Sequence, residues 1–269
     1  MITALDPARR TLLFEPPPAT GRLSGWLREG ANAALDLVYP PHCAACNEPL
    51  PPEGNKALCR ICAEKIRWIG PDRCLRCGAA VGLGSGAVDD CTSCRTYPPA
   101  FVKASCAVAH YAAGPLRDLI LALKFNGKLH VAAVFGALLA QRIGGTGLVT
   151  PDTLVVPTPL TRAASLQRGF NQAEEVAAWV ARALKLRLEP RLLTKVRGTP
   201  PQATLSDERR RMNLKGAFAC APRHARRCKN ARVLLIDDVI TTGSTVSECA
   251  RTLVQAGVVE VRAAAVARG

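Results

Sequence analysis

Apolar residues change their spacing several times along the chain, and each change predicts an element. Leu23, Trp26, Leu27, Ala34, Leu35 and Val38 recur at helical spacing, which predicts an amphipathic helix over residues 22–38, ended by Pro40-Pro41. Residues 1–20, with Pro16-Pro17-Pro18 and no periodicity, read as a loosely attached leader. From Phe101 onward strands and helices alternate. A strand is expected over 104–112 and a helix over 115–125, with Leu116, Leu119, Ile120 and Leu123 on one face. A second helix is expected over 130–142, a flexible link at Gly144-Gly145-Thr146-Gly147, a buried strand over 153–157 and a helix over 173–184. The run Val233-Leu234-Leu235-Ile236 reads as a buried parallel strand. Val246, Ala250, Leu253 and Val254 then return to helical spacing until Gly257.

Between that last strand and helix the chain reads Asp237-Asp238-Val239-Ile240-Thr241-Thr242-Gly243-Ser244-Thr245. A helix N-terminus offers unpaired N–H groups and the positive end of its dipole, which suit a phosphate. Gly243 permits close backbone approach, and the hydroxyls add donors. The two carboxylates would repel a phosphate; they suit sugar hydroxyls, or a divalent cation bridging to further phosphate. A ligand with a 5′-phosphate, ribose hydroxyls and a metal-bound pyrophosphate satisfies all of these groups, and phosphoribosyl pyrophosphate (PRPP) with Mg2+ is such a ligand. This stretch resembles the PRPP loop of the type I phosphoribosyltransferases.

Residues 41–100 show no periodicity, but they carry eight cysteines as four C-x2-C pairs: Cys43/Cys46, Cys59/Cys62, Cys74/Cys77 and Cys91/Cys94. The intervening gaps are 12, 11 and 13 residues. A C-x2-C turn aims two sulfurs at one point, and two turns complete a tetrahedral S4 site, so two structural Zn2+ ions are expected. The gaps allow sequential sites or a cross-braced arrangement; short loops favour the sequential one. His42 adjoins Cys43, but the four pairs already fill two sites. Cys106, Cys220, Cys228 and Cys249 lie outside the pattern, and Cys249 reads as core.

Charge adds a second theme. The formal net charge is +15, and residues 101–269 hold 25 Lys+Arg against 11 Asp+Glu, while residues 1–100 are nearly balanced at 11 against 10. A phosphate-rich ligand or a polyanion suits that half. Arg162 and Arg168 flank a turn that could hold a pyrophosphate. Residues 195–232, with Arg209, Arg210 and Arg211 at their centre, read as a basic loop or extended hairpin able to close over such a site. The N-terminus lacks a secretory apolar core and no stretch is long enough to span a bilayer, so a cytoplasmic protein is expected.

Taken together, the four cysteine pairs, LKFNGK at 123–128, VVPTPLTRAASLQRGFNQAE at 155–174, ERRRMNLKGAF at 208–218 and IDDVITTGST at 236–245 resemble the ComF family, which joins a double zinc ribbon to a phosphoribosyltransferase-like domain. The resemblance implies an α/β, doubly wound parallel sheet over 101–269 joined to a ribbon over 41–100, with the leader and helix occupying 1–40. It implies PRPP and Mg2+ at the carboxyl ends of the strands. Asp237 and Asp238 would then sit on the ribose hydroxyls, with Thr241–Thr245 around the 5′-phosphate. It also implies a link to single-stranded DNA, to the DNA-uptake machinery and to natural transformation. An active transferase acting on a base or other nucleophile is the alternative; no base-recognition segment and no catalytic residue is legible.

Overall fold

The structure is a computed structural model that describes residues 42–51, 58–198, 212–221 and 224–269. The leader and helix expected within residues 1–40 lie outside the described residues, as do Arg209, Arg210 and Arg211.

The cysteine-rich part holds only short elements: α1 (Arg60–Glu64), β1 (Arg73–Cys74), β2 (Ala87–Val88) and α2 (Thr92–Thr96). After it the chain runs β3 (Ser105–His110), α3 (Pro115–Asn126), α4 (His130–Gly144), β4 (Leu154–Pro157), α5 (Arg162–Arg168), α6 (Gln172–Leu184) and β5 (Arg187–Leu188). It continues with β6 (Leu193–Lys195), β7 (Phe218–Cys220), α7 (Ala225–Cys228), β8 (Arg232–Ile240), α8 (Ser244–Gln255) and β9 (Glu260–Arg268).

Five strands form one all-parallel sheet in the order β3-β9-β8-β4-β5, and β6 and β7 make a separate antiparallel hairpin. Successive residues of a strand face opposite sides, so a strand covered on both faces must be apolar throughout. Leu234 and Ile236 accordingly join a core with Val131 and Phe135 of α4 and Val176, Ala177 and Val180 of α6. Val233 and Leu235 join the opposite core with Val246, Cys249, Ala250 and Leu253 of α8. The sheet is therefore doubly wound. Neighbouring strands β4 and β8 send their following helices, α6 and α8, to opposite faces. Such a reversal opens a crevice at the carboxyl ends of the two strands.

Helices α4 and α6 approach closely at Gly136, where an added Cβ would stand 2.2 Å from the Cβ of Trp179. The ribbon packs along the outer edge of β3. Trp68 bridges Ala109 in antiparallel fashion, Ile69 N donates to Val108 O at 3.0 Å, His110 N donates to Arg67 O at 2.8 Å and Ser105 N donates to Leu75 O at 2.9 Å. Leu50, Leu58, Cys62 and Ile66 share one core with Leu116 and Phe135, so the first ribbon half and the sheet are packed as a unit.

Four expectations change. Strand β9 lies inside the sheet between β3 and β8, and no element was expected over its residues. Strand β8 extends through both aspartates to Ile240, because its ladder continues as Val239↔Ala267 and Ile240↔Arg268. The turn between Arg162 and Arg168 is itself a helix, capped by Thr161 Oγ1 accepting from Ala164 N at 3.2 Å and closed by Gly169 at φ 79°. The Gly144–Gly147 link is tied down, with Thr146 Oγ1 donating to Ile143 O at 2.7 Å and Arg262 Nη1 donating to Gly147 O at 2.6 Å. Among the described residues no helix is long and apolar enough to cross a membrane.

Candidate functional site

The eight paired cysteines gather into two clusters, Cys43/Cys46/Cys59/Cys62 and Cys74/Cys77/Cys91/Cys94, which is the sequential arrangement. Cys46 and Cys59 sulfurs lie 3.7 Å apart, Cys74 and Cys94 3.7 Å, Cys77 and Cys91 3.6 Å. A tetrahedral ion with Zn–S bonds of about 2.3 Å requires sulfurs about 3.8 Å apart, so both clusters fit zinc. Backbone amides reinforce the thiolates: Cys59 N donates to Cys43 Sγ and Cys62 N to Cys59 Sγ, each at 3.4 Å. Burial pushes the Cys43 thiol up, but the amides of Cys59, Cys46 and Ala45 outweigh it and bring the group down to about 7. With four sulfurs each, the clusters leave no open position, which fits a structural zinc ion. His42 belongs to neither cluster.

The aspartates sit at the crevice where β4 and β8 end. Asp237 Oδ1 accepts from Thr158 Oγ1 and from the Asp238 amide, each at 2.9 Å. Thr158 follows β4, and its own N donates to Ile236 O at 2.9 Å, so the two strand ends are laced together. Asn171 extends the lacing: its Nδ2 donates to Thr158 O at 3.0 Å while its Oδ1 caps α6 through Ala173 N at 3.1 Å. Asp238 is buried, and its Oδ2 meets the ammonium of Lys124 from the last turn of α3. Burial, with the like charge of Asp238 next, raises the Asp237 carboxyl to about 8; Thr158 and Lys124 oppose this only in part. Around neutral pH the pair therefore retains a proton, and it can both donate to and accept from neighbouring hydroxyls.

Past Ile240, Thr241, Thr242 and Gly243 turn the chain into α8. Gly243 takes φ 76°, a left-handed conformation that favours glycine, and its lack of a side chain leaves the first-turn amides of α8 without a cap from that position. Ser244 and Thr245 already belong to α8. Thr242 Oγ1 and Ser244 Oγ lie 2.8 Å apart, and the first turn carries no acidic residue to repel an anion.

Arg268, at the end of β9, is buried and underpins this loop. Its Nε donates to Cys77 O at 3.1 Å, and its Nη1 donates to Ile240 O at 3.1 Å and also meets Thr241 O and Gly269 O. One guanidinium thus joins a zinc ligand's carbonyl to the start of the phosphate-type loop. Gly78 keeps the knuckle close to the sheet: it takes φ 74°, and an added Cβ would lie 3.1 Å from the Cys106 backbone.

The described parts of the basic segment supply the end of β6, the strand β7 and the helix α7, and the β6/β7 pair is closed by Arg197 Nη2 donating to Asn213 O at 2.8 Å and Lys215 O at 2.9 Å. Lys195 bridges to Thr161 at the start of α5, and its ammonium lies 5.6 Å from the Phe218 ring centroid. Burial pushes its pKa down. Arg162 is exposed on α5. Arg168 Nη1 donates to Gln172 Oε1 at 2.9 Å, and its guanidinium covers the Phe125 ring. Sequence reasoning assigns no site role to Lys124, Thr158, Asn171 or Arg268, and Lys195 figures in it only as the first residue of the basic segment. For Lys124 and Thr158 the available signal was their place inside the LKFNGK and VVPTPL motifs.

Cysteine clusters suited to zinc on the edge of a doubly wound parallel sheet, with an acid pair and a hydroxyl-rich loop at its switch point, define a double zinc ribbon protein with an α/β domain. The profile of the family described as "Double zinc ribbon domain" matches residues 34–95. The chain is 33% identical over 230 residues to the "DNA utilization protein YhgH" of Salmonella typhi, covering 84% of this chain and 96% of that protein. It is 30% identical over 222 residues to "Competence protein F" of Haemophilus influenzae, covering 80% of this chain and 91% of that protein. The chain belongs to the ComF family, to which these relatives point. Among solved structures it is similar to the glutamine PRPP amidotransferase of B. subtilis, at 20% identity and TM-score 0.34, covering 50% of this chain and 25% of that one. It is also similar to TT1426 of Thermus thermophilus, at 25% identity and TM-score 0.29, covering 50% of this chain and 72% of that one.

Proposed function

We propose that the chain binds PRPP with Mg2+ at the carboxyl end of β8 and acts on single-stranded DNA during its uptake or processing, on the cytoplasmic side. The observation that carries this reading is the acid pair held by Thr158 and Lys124, one strand end away from an α-helix whose first amides and hydroxyls suit a phosphate. In this reading Asp237 and Asp238 take the ribose hydroxyls and Thr241–Thr245 take the 5′-phosphate. The engaged carboxylates suit hydroxyls better than direct metal ligation, so Mg2+ enters on the pyrophosphate and supplies charge neutralisation there. Lys195, Arg162, Arg168, Arg209 and Arg210 are the cations available to that pyrophosphate. The names of the relatives and the basic excess in residues 101–269 support the DNA half.

Single-stranded oligonucleotides should bind with steep salt dependence, since each neutralised phosphate releases counterions. Replacing Arg209, Arg210 and Arg211 together should reduce the log–log salt slope by about 2. PRPP and DNA should alter each other's affinity by the same factor if one basic flap serves both.

A second reading, an active transferase, is favoured by Lys195. A half-buried ammonium at the base of the hairpin can stabilise a departing pyrophosphate without a general base. Pyrophosphate release against a panel of free bases separates the two. Turnover with a free base, together with no DNA binding near physiological salt, would replace the first reading by the second.

A further inference from the structure

Helix α3 ends in two adjacent residues with different surroundings. Lys124 puts its ammonium on Asp238, while Phe125 leaves its ring 67% exposed. A single exposed aromatic is ordinary, but this one is accompanied. The Arg168 guanidinium lies 5.1 Å from the ring centroid, and Arg168 is anchored by Gln172, a side chain only 5% exposed. Helix α5, which supplies Arg168, buries none of its own side chains, and its Leu166 is 75% exposed. It contributes little to the core, yet it is fixed beside the acid pair through the Asn171–Thr158–Asp237 chain of hydrogen bonds.

The geometry points to Phe125 and Arg168 as a stacking platform for one nucleobase of a single strand, next to the acid pair. An aromatic face and a guanidinium plane stack on any base, which gives binding without sequence preference. Lys128 and Arg162 stand on the same two segments and add the charge that a phosphodiester backbone requires. That charge, within a half carrying 25 basic against 11 acidic residues, favours a polyanionic strand over a free neutral base. The inference rests on the DNA half of the proposed function and adds to it the place where a base is read.

The test compares the full chain's affinity for a labelled oligothymidylate and for an abasic deoxyribose-phosphate strand of equal length, with PRPP titrated separately. The wild type should prefer the base-bearing strand by roughly 5- to 150-fold, the range that stacking of one base supplies. Phe125→Ala should bring that preference close to one while leaving the salt slope unchanged. Phe125→Trp should keep the preference, and its added fluorescence should be quenched by the thymidylate strand and not by the abasic one. Equal affinity of the wild type for both strands, or a preference that survives Phe125→Ala, overturns the platform alone. A wild type that binds neither strand overturns the platform together with the DNA half of the function, and the PRPP half is then judged by its own titration.

Discussion

A Cys74→Ala chain is expected to purify with one zinc ion where the wild type holds two, and to lose the order of its phosphate-type loop as well as that of its second ribbon half. The first effect follows from the S4 geometry: a structural zinc contributes about 10–16 kcal/mol to the fold of its site, far more than a short ribbon stores in its own packing. The second follows from Arg268. Once the knuckle opens, Cys77 O no longer holds the guanidinium that also holds Ile240 O and Thr241 O. Arg268→Met isolates this link, because it leaves all eight ligand sulfurs in place. It should leave two zinc ions in place and cost about 2–5 kcal/mol, since several buried carbonyls lose a charged donor, although Ile240 O keeps the Gly269 amide. Metal analysis and hydrogen exchange at residues 241–245 measure both changes. Iron in place of zinc, or one ion in the wild type, would refute the metal assignment. Loop amides in Cys74→Ala as protected as in the wild type would show that ribbon and loop are independent.

Asp237→Asn is expected to make the unliganded protein more stable while weakening PRPP. The Asp237 carboxyl is raised to about 8 by burial and by Asp238, well above the roughly 3.9 of an unfolded aspartate. Between those values the folded state holds more protons than the unfolded one, so stability falls as pH rises from about 4 to 8. An asparagine removes that dependence. Its Oδ1 can still accept from Thr158 and the Asp238 amide, and its amide can donate where the protonated acid did. The gain should be about 1–3 kcal/mol at pH 8, with a flatter profile of melting temperature against pH. Asp238→Asn should do the opposite, because it strands the Lys124 ammonium, at a cost of about 1–3 kcal/mol. Both variants, and the alanine versions, should weaken PRPP by about 1–3 kcal/mol, and withdrawing Mg2+ should weaken it further. Calorimetry that finds PRPP binding equal in the wild type and both variants would place the site elsewhere.

The contrast between what the sequence carried and what it concealed has a physical basis. The zinc clusters and the Asp237–Thr245 loop are legible because their chemistry is contiguous or repeats at short spacing. Lys124, Thr158 and Arg268 are not, because each acquires its role from a partner distant in the chain. Strand β9 hides for another reason. Four of its buried positions, Ala263, Ala264, Ala265 and Ala267, are alanine, a poor strand former, and only Val261 and Val266 carry a strand-forming side chain into the core. Helix α5 escapes notice because it has no apolar stripe facing the core, only a threonine cap and a closing glycine.

The position of β9 also dictates an order of assembly. It is the strand that joins β3 to the rest of the sheet, and it comes last in the chain. During synthesis the ribbon and β3 leave the ribosome early and must wait, with one strand edge open, until residues 260–268 arrive to close the sheet. Zinc can fold the ribbon during that wait and cover the outer edge of β3, which leaves the inner edge as the single docking line for the last segment. Arg268, the last residue of that segment, then locks ribbon and loop together in the same closing step, so an ordered loop after β8 reports that the sheet has closed.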